Sequence, residues 1–588
     1  MTGVGRPAII ECACHGFILA DDLARDAGGV LQAHDGPELG WSQPAATTSR
    51  SIPNQRERTS RPWAMPPQLT GDPRLIRIGA GLVTDELTGC PEHLAAKARP
   101  RMQARHRLRY GTDDLFALDP VMTALDRVEH DGMAAASVLA GLGTDLSIPE
   151  ALRTFTVHAV GQYSSATPLG EQRRPMRGWW VMQRGEGTVW ELYAWGRCYR
   201  SSDGRLRELR LLRFGIAGGR DREPAQVAIA AYVTAMGGEG IKPEPWSQRF
   251  RVVARPAADY VRVVEVGLVD GSEATLFAGS ASEAEALYRE HGESEVSRVV
   301  GGGHTRSGGS CFKCKLFTGC REVVRAPGLL GLPSYPRVAL RKVSVSDLRY
   351  YQLCPAQFRL RSLNLPRADE YSVAARIGQA VHGYLEDLHR RQERPCRLGD
   401  VPAAGEMWAD QRWALDQAAQ DLGAQMLAYH HQVCPLDDQP EQVRVEPTLA
   451  VHDTAAQTLI IAKPDLLYRA GGSWVWREIK TTRRQAAVRD PLDAYPQLAL
   501  ATIMLAEGVL GGHLDGSRVE LEILRPSGAD LEIIDPCDPL RVAKARQVMR
   551  DLAQPWREDE DFAPAPGRNC RTCPVSRWCS AAVADDES

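Results

Sequence analysis

Several features that a chain of 588 residues has room for are missing. There is no run of eighteen apolar residues, so a membrane-spanning helix is not expected. No G-x4-G-K-[ST] loop occurs, which excludes a P-loop motor within this chain. A G-x-S-x-G elbow and a dinucleotide-binding fingerprint are also absent. Aromatic residues make up only 6%, which leaves few rings for stacking on bases. Charge of one sign is lacking too. The formal net charge is -3, so a uniformly basic coat is excluded and any surface for nucleic acid must be local. The first twenty residues do not show the charged-then-apolar layout of a signal peptide, and the cytoplasm is the expected compartment.

What is present begins with ordinary globular composition. Hydrophobic residues at 43% and charged residues at 25% suit folded domains with sizeable cores. Cysteine, by contrast, is plentiful: 14 residues. In a reducing compartment such an excess points to metal ligation or redox chemistry rather than disulfides.

The cysteine spacing repeats. Cys311-x2-Cys314-x5-Cys320 recurs as Cys570-x2-Cys573-x5-Cys579. Each triplet has a remote upstream Cys-Pro, Cys90-Pro91 for the first and Cys354-Pro355 for the second, and both sit in segments of helical apolar spacing. The chain therefore reads as two tandem copies of one domain, over residues 66–320 and 343–580. Residues 321–342 carry Pro and Gly and are read as a linker. Residues 1–65 are expected to be a disordered extension or the product of a wrong start, with Met65 the alternative start, and residues 581–588 an acidic tail.

One remote cysteine plus a triplet gives four soft ligands per copy. Four thiolates suit Zn²⁺ or an iron–sulfur cluster, and spacing alone leaves both open. Either would staple the start of a copy to its end. Cys12, Cys14, Cys198, Cys396, Cys434 and Cys537 show no paired pattern and are read as small apolar residues.

A second constellation lies between Cys354 and Cys570. Residues 376–391, RIGQAVHGYLEDLHRR, have helical periodicity, with His382 beside the apolar face. An apolar run then ends in Lys463-Pro464-Asp465. After a Gly-Gly turn, SWVWREIKTT alternates like a strand, placing Glu478 and Lys480 on one side of it. Asp465 is expected to end the partner strand of this hairpin. Carboxylates on adjacent strands offer hard oxygen ligands to Mg²⁺ or Mn²⁺, and a lysine beside them can support a water attacking a phosphodiester. Taken alone, Glu478-x-Lys480 is an ordinary exposed strand pair.

The order Cys354, His382, Pro464-Asp465, Glu478-x-Lys480, Gln497, Cys570-x2-Cys573-x5-Cys579 resembles the RecB/Cas4/AddB-type PD-(D/E)xK nucleases. The resemblance implies two tandem restriction-endonuclease-like α/β domains, each a mixed central sheet flanked by helices and closed by a four-cysteine staple. It implies a catalytic metal on His382, Asp465, Glu478 and the Ile479 carbonyl, with Lys480 assisting the water. It also implies a [4Fe–4S] cluster on Cys354, Cys570, Cys573 and Cys579, and by extension a second on Cys90, Cys311, Cys314 and Cys320. The family's Gln-x3-Tyr motif is only half kept: Gln497 is followed by Ala501, and Tyr495 is not assumed to substitute.

The first copy reads as degenerate. Glu208 is expected to stand where Glu478 does, Arg210 where Lys480 does, and Gly196 or Arg197 where Asp465 does. His158 and His106 are the histidines nearest in sequence to the missing His382. Residues 321–394 hold thirteen Lys/Arg against seven Asp/Glu, and Arg483, Arg484 and Arg489 follow the Glu478 strand; both read as phosphate-contacting patches. Trp474, Trp476 and Trp578 are either stacking surfaces or core.

The expected function is a Mg²⁺- or Mn²⁺-dependent DNA nuclease acting on single strands or ends, in repair or in defence against foreign DNA. Any helicase would be a separate subunit. The alternative is an inert iron–sulfur-stapled DNA-binding scaffold within a larger complex.

Overall fold

The computed structural model describes residues 63–582 apart from 84–88, 107, 111–115, 146, 171–172, 220, 336–337, 369–371, 392–393, 404, 411–412 and 484–488. The expected extension up to residue 62, Cys12, Cys14, Arg484 and the end of the acidic tail lie outside the described residues. The fold is mixed α/β with several sheets. Among the described residues no helix is long and apolar enough to cross a membrane.

In the first half, strand β1 (Leu75–Gly79) runs parallel to β4 (Val189–Tyr193), which pairs antiparallel with β3 (Trp179–Arg184). A second sheet joins β2 (Arg174–Met176), β5 (Arg197–Arg200), β6 (Leu206–Arg213), β7 (Tyr260–Gly267) and β8 (Glu273–Gly279) in the order β8-β7-β6-β5-β2. Only β6 and β7 are parallel in it. Helices α1 (Asp119–Glu129) and α2 (Glu150–Ala166) cover one face, and α3 (Pro224–Met236) the other.

The second half repeats this plan. Strand β10 (Arg341–Ser344) is parallel to β13 (Thr458–Ala462), which is antiparallel to β12 (Leu449–Asp453). The larger sheet joins β11 (Gln442–Val445), β14 (Leu466–Ala470), β15 (Ser473–Thr481), β16 (His513–Arg525) and β17 (Gly528–Ile534) in the order β11-β14-β15-β16-β17. Here β15 and β16 are the single parallel pair. The order of connection and the sense of every neighbouring pair thus recur between this sheet and the β8-β7-β6-β5-β2 sheet of the first half.

The helices of this half are α4 (Val345–Leu353), α5 (Val373–Arg391), α6 (Gln417–His430), α7 (Pro496–Ala506) and α8 (Pro539–Glu558). Helix α4 starts on a capping box of Ser344 and Asp347, each satisfying a free backbone N–H of the other's turn. Helix α5 is amphipathic. Its Ile377, Val381 and Leu385 pack with Met426 and Leu427 of α6 against Ile479 of β15. Helix α7 is apolar all round, and Leu498 through Leu505 are buried between the sheet and α8. Each such leucine contributes roughly 1.5–3 kcal/mol by leaving water. Strand β15 alternates between these two layers: Trp474 and Trp476 face α7, whereas Ile479 faces α5.

The expected linker is not a loose joint. Strand β9 (Val323–Arg325) pairs parallel with β12 and extends the second half's sheet. Leu329, Leu330 and Leu332 are buried in that half's core, and the Asp453 carboxylate accepts the Gly328 and Leu330 N–H groups at 2.8 and 3.0 Å. The Pro and Gly residues signal a break in periodic structure, but the apolar residues between them decide burial.

The cysteine hooks interlock the halves. Cys311 and Phe317 pack with Val323, Ala450 and Leu459 of the second half. Val575 and Trp578 pack into the first half, where Trp578 meets Phe155 of α2 edge-on at 5.3 Å. Trp474, Trp476 and Trp578 are all core residues, not stacking surfaces.

Candidate active site

The β14–β15 hairpin builds the site. Cross-strand register sets Leu466 opposite Arg477, which leaves Asp465 one step before β14 and opposite Glu478. Asp465 therefore opens the partner strand rather than ending it. The run before it is β13 of the other sheet, and Lys463-Pro464 is the break between the two. The Asp465 carboxylate accepts the Ile479 N–H at 2.6 Å, which fixes it against the strand carrying Glu478 and Lys480.

Helix α5 brings the imidazole. His382 Nδ1 lies 3.3 Å from Asp465 Oδ1. Lys480 Nζ donates to Glu478 Oε2 at 2.9 Å and to the Ile479 carbonyl at 2.9 Å, and stands 3.6 Å from Asp465 Oδ2. The other Glu478 oxygen accepts from the Trp476 indole at 3.0 Å. So His382, Asp465, Glu478, Lys480 and the Ile479 carbonyl form one contact network. Glu478 is buried, while the His382, Asp465 and Lys480 side chains keep 24%, 17% and 25% of their exposure, so the site opens on their side.

The charges are tightly coupled. Burial opposes ionisation of Asp465, but the His382 and Lys480 charges and the Ile479 N–H outweigh it and hold the carboxyl well below its usual range. Burial pushes Glu478 up, with Lys480 partly offsetting it. Burial opposes the charged forms of His382 and Lys480, yet the neighbouring carboxylates raise both. Two carboxylates, an imidazole and a carbonyl are a donor set that fits a hard dication. The Lys480 ammonium bridges these two carboxylates.

Gln497 stands at the start of α7, and its side-chain oxygen is buried without a hydrogen-bond partner. Tyr495, just ahead of α7, lies near enough to Lys480 to bear on its charge. Ala501 is fully buried in the core, so the position of the missing tyrosine points inward. Many arginines of the expected basic stretch are engaged internally. Arg341 donates to three carbonyls near the end of α8, Arg325 to carbonyls of the first hook, and Arg390 and Arg391 pair within α5.

Both hooks gather their thiols. Cys354, Cys570, Cys573 and Cys579 line one recess, and Cys90, Cys311, Cys314 and Cys320 line another. Each remote cysteine accepts a backbone N–H at 3.4 Å, Cys90 from Arg306 and Cys354 from Ala565. Burial pushes Cys311 up to about 12 and raises Cys573, with the neighbouring thiols adding to it. Such buried thiols favour the neutral form until a cation holds them as thiolates.

The first half differs from expectation in register. Glu208 and Arg210 do not face the way Glu478 and Lys480 do. Leu209 and Leu211 pack on α3, the counterpart of α7, whereas Glu208 and Arg210 lie on the opposite face. There Arg210 donates to Thr167 at the end of α2, and Glu208 pairs with Arg173, Arg210 and Arg262. Arg197 pairs with Arg210 across β5–β6 as Leu466 does with Arg477. Matching these pairs sets Gly196 at the place of Asp465, Leu211 at that of Glu478 and Arg213 at that of Lys480. Both carboxylates are thus gone from this face. His158 contacts Arg577 and Trp578 at the second hook, away from β6.

Cys396 and Cys434, expected to be isolated small apolar residues, instead lie in a buried polar cluster. His389-x6-Cys396 and His430-x3-Cys434 converge, and their ligand atoms all lie within 4.8 Å of one another, the four residues buried. His/Cys pairs at short spacing near helix ends were the available signal.

The second half is thus a mixed α/β domain with acidic and basic side chains joined across one hairpin. Residues 342–580 match the family described as the PD-(D/E)XK nuclease superfamily, and this part of the chain is a domain of that superfamily. Its members are typically phosphodiester-hydrolysing nucleases. No curated protein matches the chain. A solved structure titled "Crystal structure of SSO0001" aligns over 42% of this chain and 88% of its own, at 14% identity and a TM-score of 0.21, a likeness too slight to bear on fold or function.

Proposed function

We propose that residues 343–580 are a DNA nuclease of the RecB/Cas4 type, hydrolysing phosphodiesters with Mg²⁺ or Mn²⁺. The observation that carries this reading is the network in which His382 meets Asp465, and Lys480 meets both Asp465 and Glu478, at hydrogen-bonding or ion-pairing distance. His382, Asp465, Glu478 and the Ile479 carbonyl would hold the dication. When bound, it lowers the pKa of a water and neutralises charge on the phosphoryl group. Lys480 orients that water and stabilises charge on the phosphoryl oxygens. The Ile479 N–H keeps the Asp465 carboxylate turned to the site. Gln497, at the start of α7, would contact the strand near the cut.

The second hook would hold a [4Fe–4S] cluster, and the first hook another. What supports a metal group at each hook is that its four cysteines line one recess; the iron–sulfur identity rests on the resemblance to the RecB/Cas4/AddB-type nucleases. The first half, lacking both carboxylates on the matching face, would be a scaffold or strand guide. Single-stranded DNA or ends are the proposed substrate, in repair or defence, in the cytoplasm, with any helicase a separate subunit.

The test is cleavage of labelled single- and double-stranded DNA with Mg²⁺ or Mn²⁺ by wild type and by Lys480→Ala. A drop on the order of 10²–10³-fold is expected for the variant. Equal rates would reject the site. A folded wild type that binds DNA but never cuts it would favour the scaffold reading.

A further inference from the structure

A second polar cluster lies one heptad along α5 from His382. His389 near the end of that helix, Cys396 just beyond it, His430 at the end of α6 and Cys434 four residues later meet in a closed space. All four are buried, with exposures of 4%, 4%, 0% and 4%. His389 Nε2 lies 3.1 Å from His430 Nε2 and 3.6 Å from Cys396 Sγ. The Cys396 N–H donates to Cys434 Sγ at 3.3 Å.

The N···N and N···S separations match two edges of a small tetrahedron, and the remaining ligand atoms lie within 4.8 Å. Bonds near 2.0–2.1 Å to nitrogen and 2.3 Å to sulfur put two nitrogens about 3.3 Å apart and nitrogen and sulfur about 3.6 Å apart around one zinc ion. The orientation of the rings agrees. His430 turns Nδ1 to Glu522 Oε1 at 2.6 Å, which fixes its proton there and leaves the Nε2 lone pair for the cluster. Glu522 is in turn held by Arg477 Nη1 at 3.0 Å. His389 likewise points Nε2 inward, and its Nδ1 is buried without a partner. Charge balances as well: two thiolates neutralise a dication, and Glu522 and Arg477 neutralise each other.

We propose that His389, Cys396, His430 and Cys434 form a structural Cys2His2 zinc site, separate from the proposed active site and from both four-cysteine hooks. Soft and borderline ligands in a closed tetrahedral set select zinc over Mg²⁺ or Mn²⁺. With no fifth direction open to solvent, the ion has no place for substrate, so its role is to tie α5 to α6 and to the sheet. Because α5 also carries His382, the ion is a positioning element for the proposed nuclease centre. The zinc site itself does not depend on that activity.

The experiment is elemental analysis of the purified full-length chain, wild type against Cys396→Ser and Cys434→Ser, with Cys354→Ser as a control. Loss of one equivalent of zinc in the first two variants and its retention in the control is the expected result. Unchanged zinc in folded Cys396→Ser and Cys434→Ser overturns the proposal. Zinc-edge X-ray absorption of the wild type decides the matter if the variants do not fold. Imidazole scattering beside a mixed sulfur–nitrogen shell supports the site. An all-sulfur shell, absence of zinc, or a Cys396–Cys434 disulfide found by mass spectrometry overturns it.

Discussion

His382 and His389 stand two turns apart on α5, and each reaches a different polar centre: His382 meets Asp465 at 3.3 Å and His389 meets His430 at 3.1 Å. Seven residues of helix separate the two by about 10.5 Å. One helix thus carries an imidazole of the proposed nuclease site and one of the buried Cys2His2 group.

Replacing His382 tests its place in metal binding. His382→Ala is expected to lower DNA cleavage and to raise the concentration of Mg²⁺ or Mn²⁺ needed for half-maximal rate, because one ligand is lost while the carboxylates remain. The check is cleavage rate against metal concentration. A lower maximal rate at an unchanged metal requirement would remove His382 from the ligand set.

Glu478 and Glu208 separate the two halves. Glu478→Gln should abolish cleavage and leave the chain folded. Glu208→Gln should leave cleavage within about twofold and destabilise the fold by about 1.5–3 kcal/mol, since three arginines share that carboxylate. Rates and denaturant melts of both variants decide it. Loss of cleavage in folded Glu208→Gln would overturn the reading of the first half as catalytically inert.

The interlock of the halves depends on Trp578. Its ring packs on Phe155 and its indole donates to the Pro366 carbonyl at 2.6 Å. Trp578→Ala is expected to cost about 3–5 kcal/mol. It should also expose the second hook to limited proteolysis. Unchanged melting and proteolysis would mean that the hook does not bind the halves together.

His452 gives a pH dependence. It is buried against Phe317 of the first hook, and burial, with Arg325 adding, lowers its pKa below the usual imidazole value. The unfolded chain takes up this proton first, near pH 6.5. Stability from the neutral ring is therefore complete above that pH and declines as pH falls toward the lower folded value. Urea melts at pH 7.5 and 5.5 should show a smaller loss on acidification for His452→Phe than for wild type. An equal loss in both would exclude His452 as the source.

Core packing of α7 is testable by Leu500→Ala. The side chain is 1% exposed in the main core of the second half. The expected cost is about 2–5 kcal/mol, read from the shift of the denaturant midpoint.

Much of the second half was legible because its signals are local. The Cys-x2-Cys-x5-Cys spacing constrains its own loop, and alternation along SWVWREIKTT places Glu478 and Lys480 on one side of a strand whatever surrounds it. The duplicated cysteine pattern led to an expectation of two copies, and the strand order β8-β7-β6-β5-β2 and the order β11-β14-β15-β16-β17 share their pairing senses. The first half was legible only in outline. A shift of one residue turns a strand's side chains to the other layer, and nothing in residues 206–213 alone says which layer Glu208 meets. Pairing with β5 and packing on α3 made that choice, and they put Leu211, not Glu208, where an acid would be needed.

The local sequence thus determined the helix that carries His382, the strand that carries Glu478 and Lys480 and the two cysteine triplets, because periodicity and close spacing act within a few residues. Tertiary structure alone decided the rest. It drew Val323–Arg325 into a sheet, set each hook on the opposite half, and brought His389 and Cys396 beside His430 and Cys434. Those meetings depend on the packing of α5 and α6 over a common sheet, and no spacing along the chain encodes the distance between two helix ends.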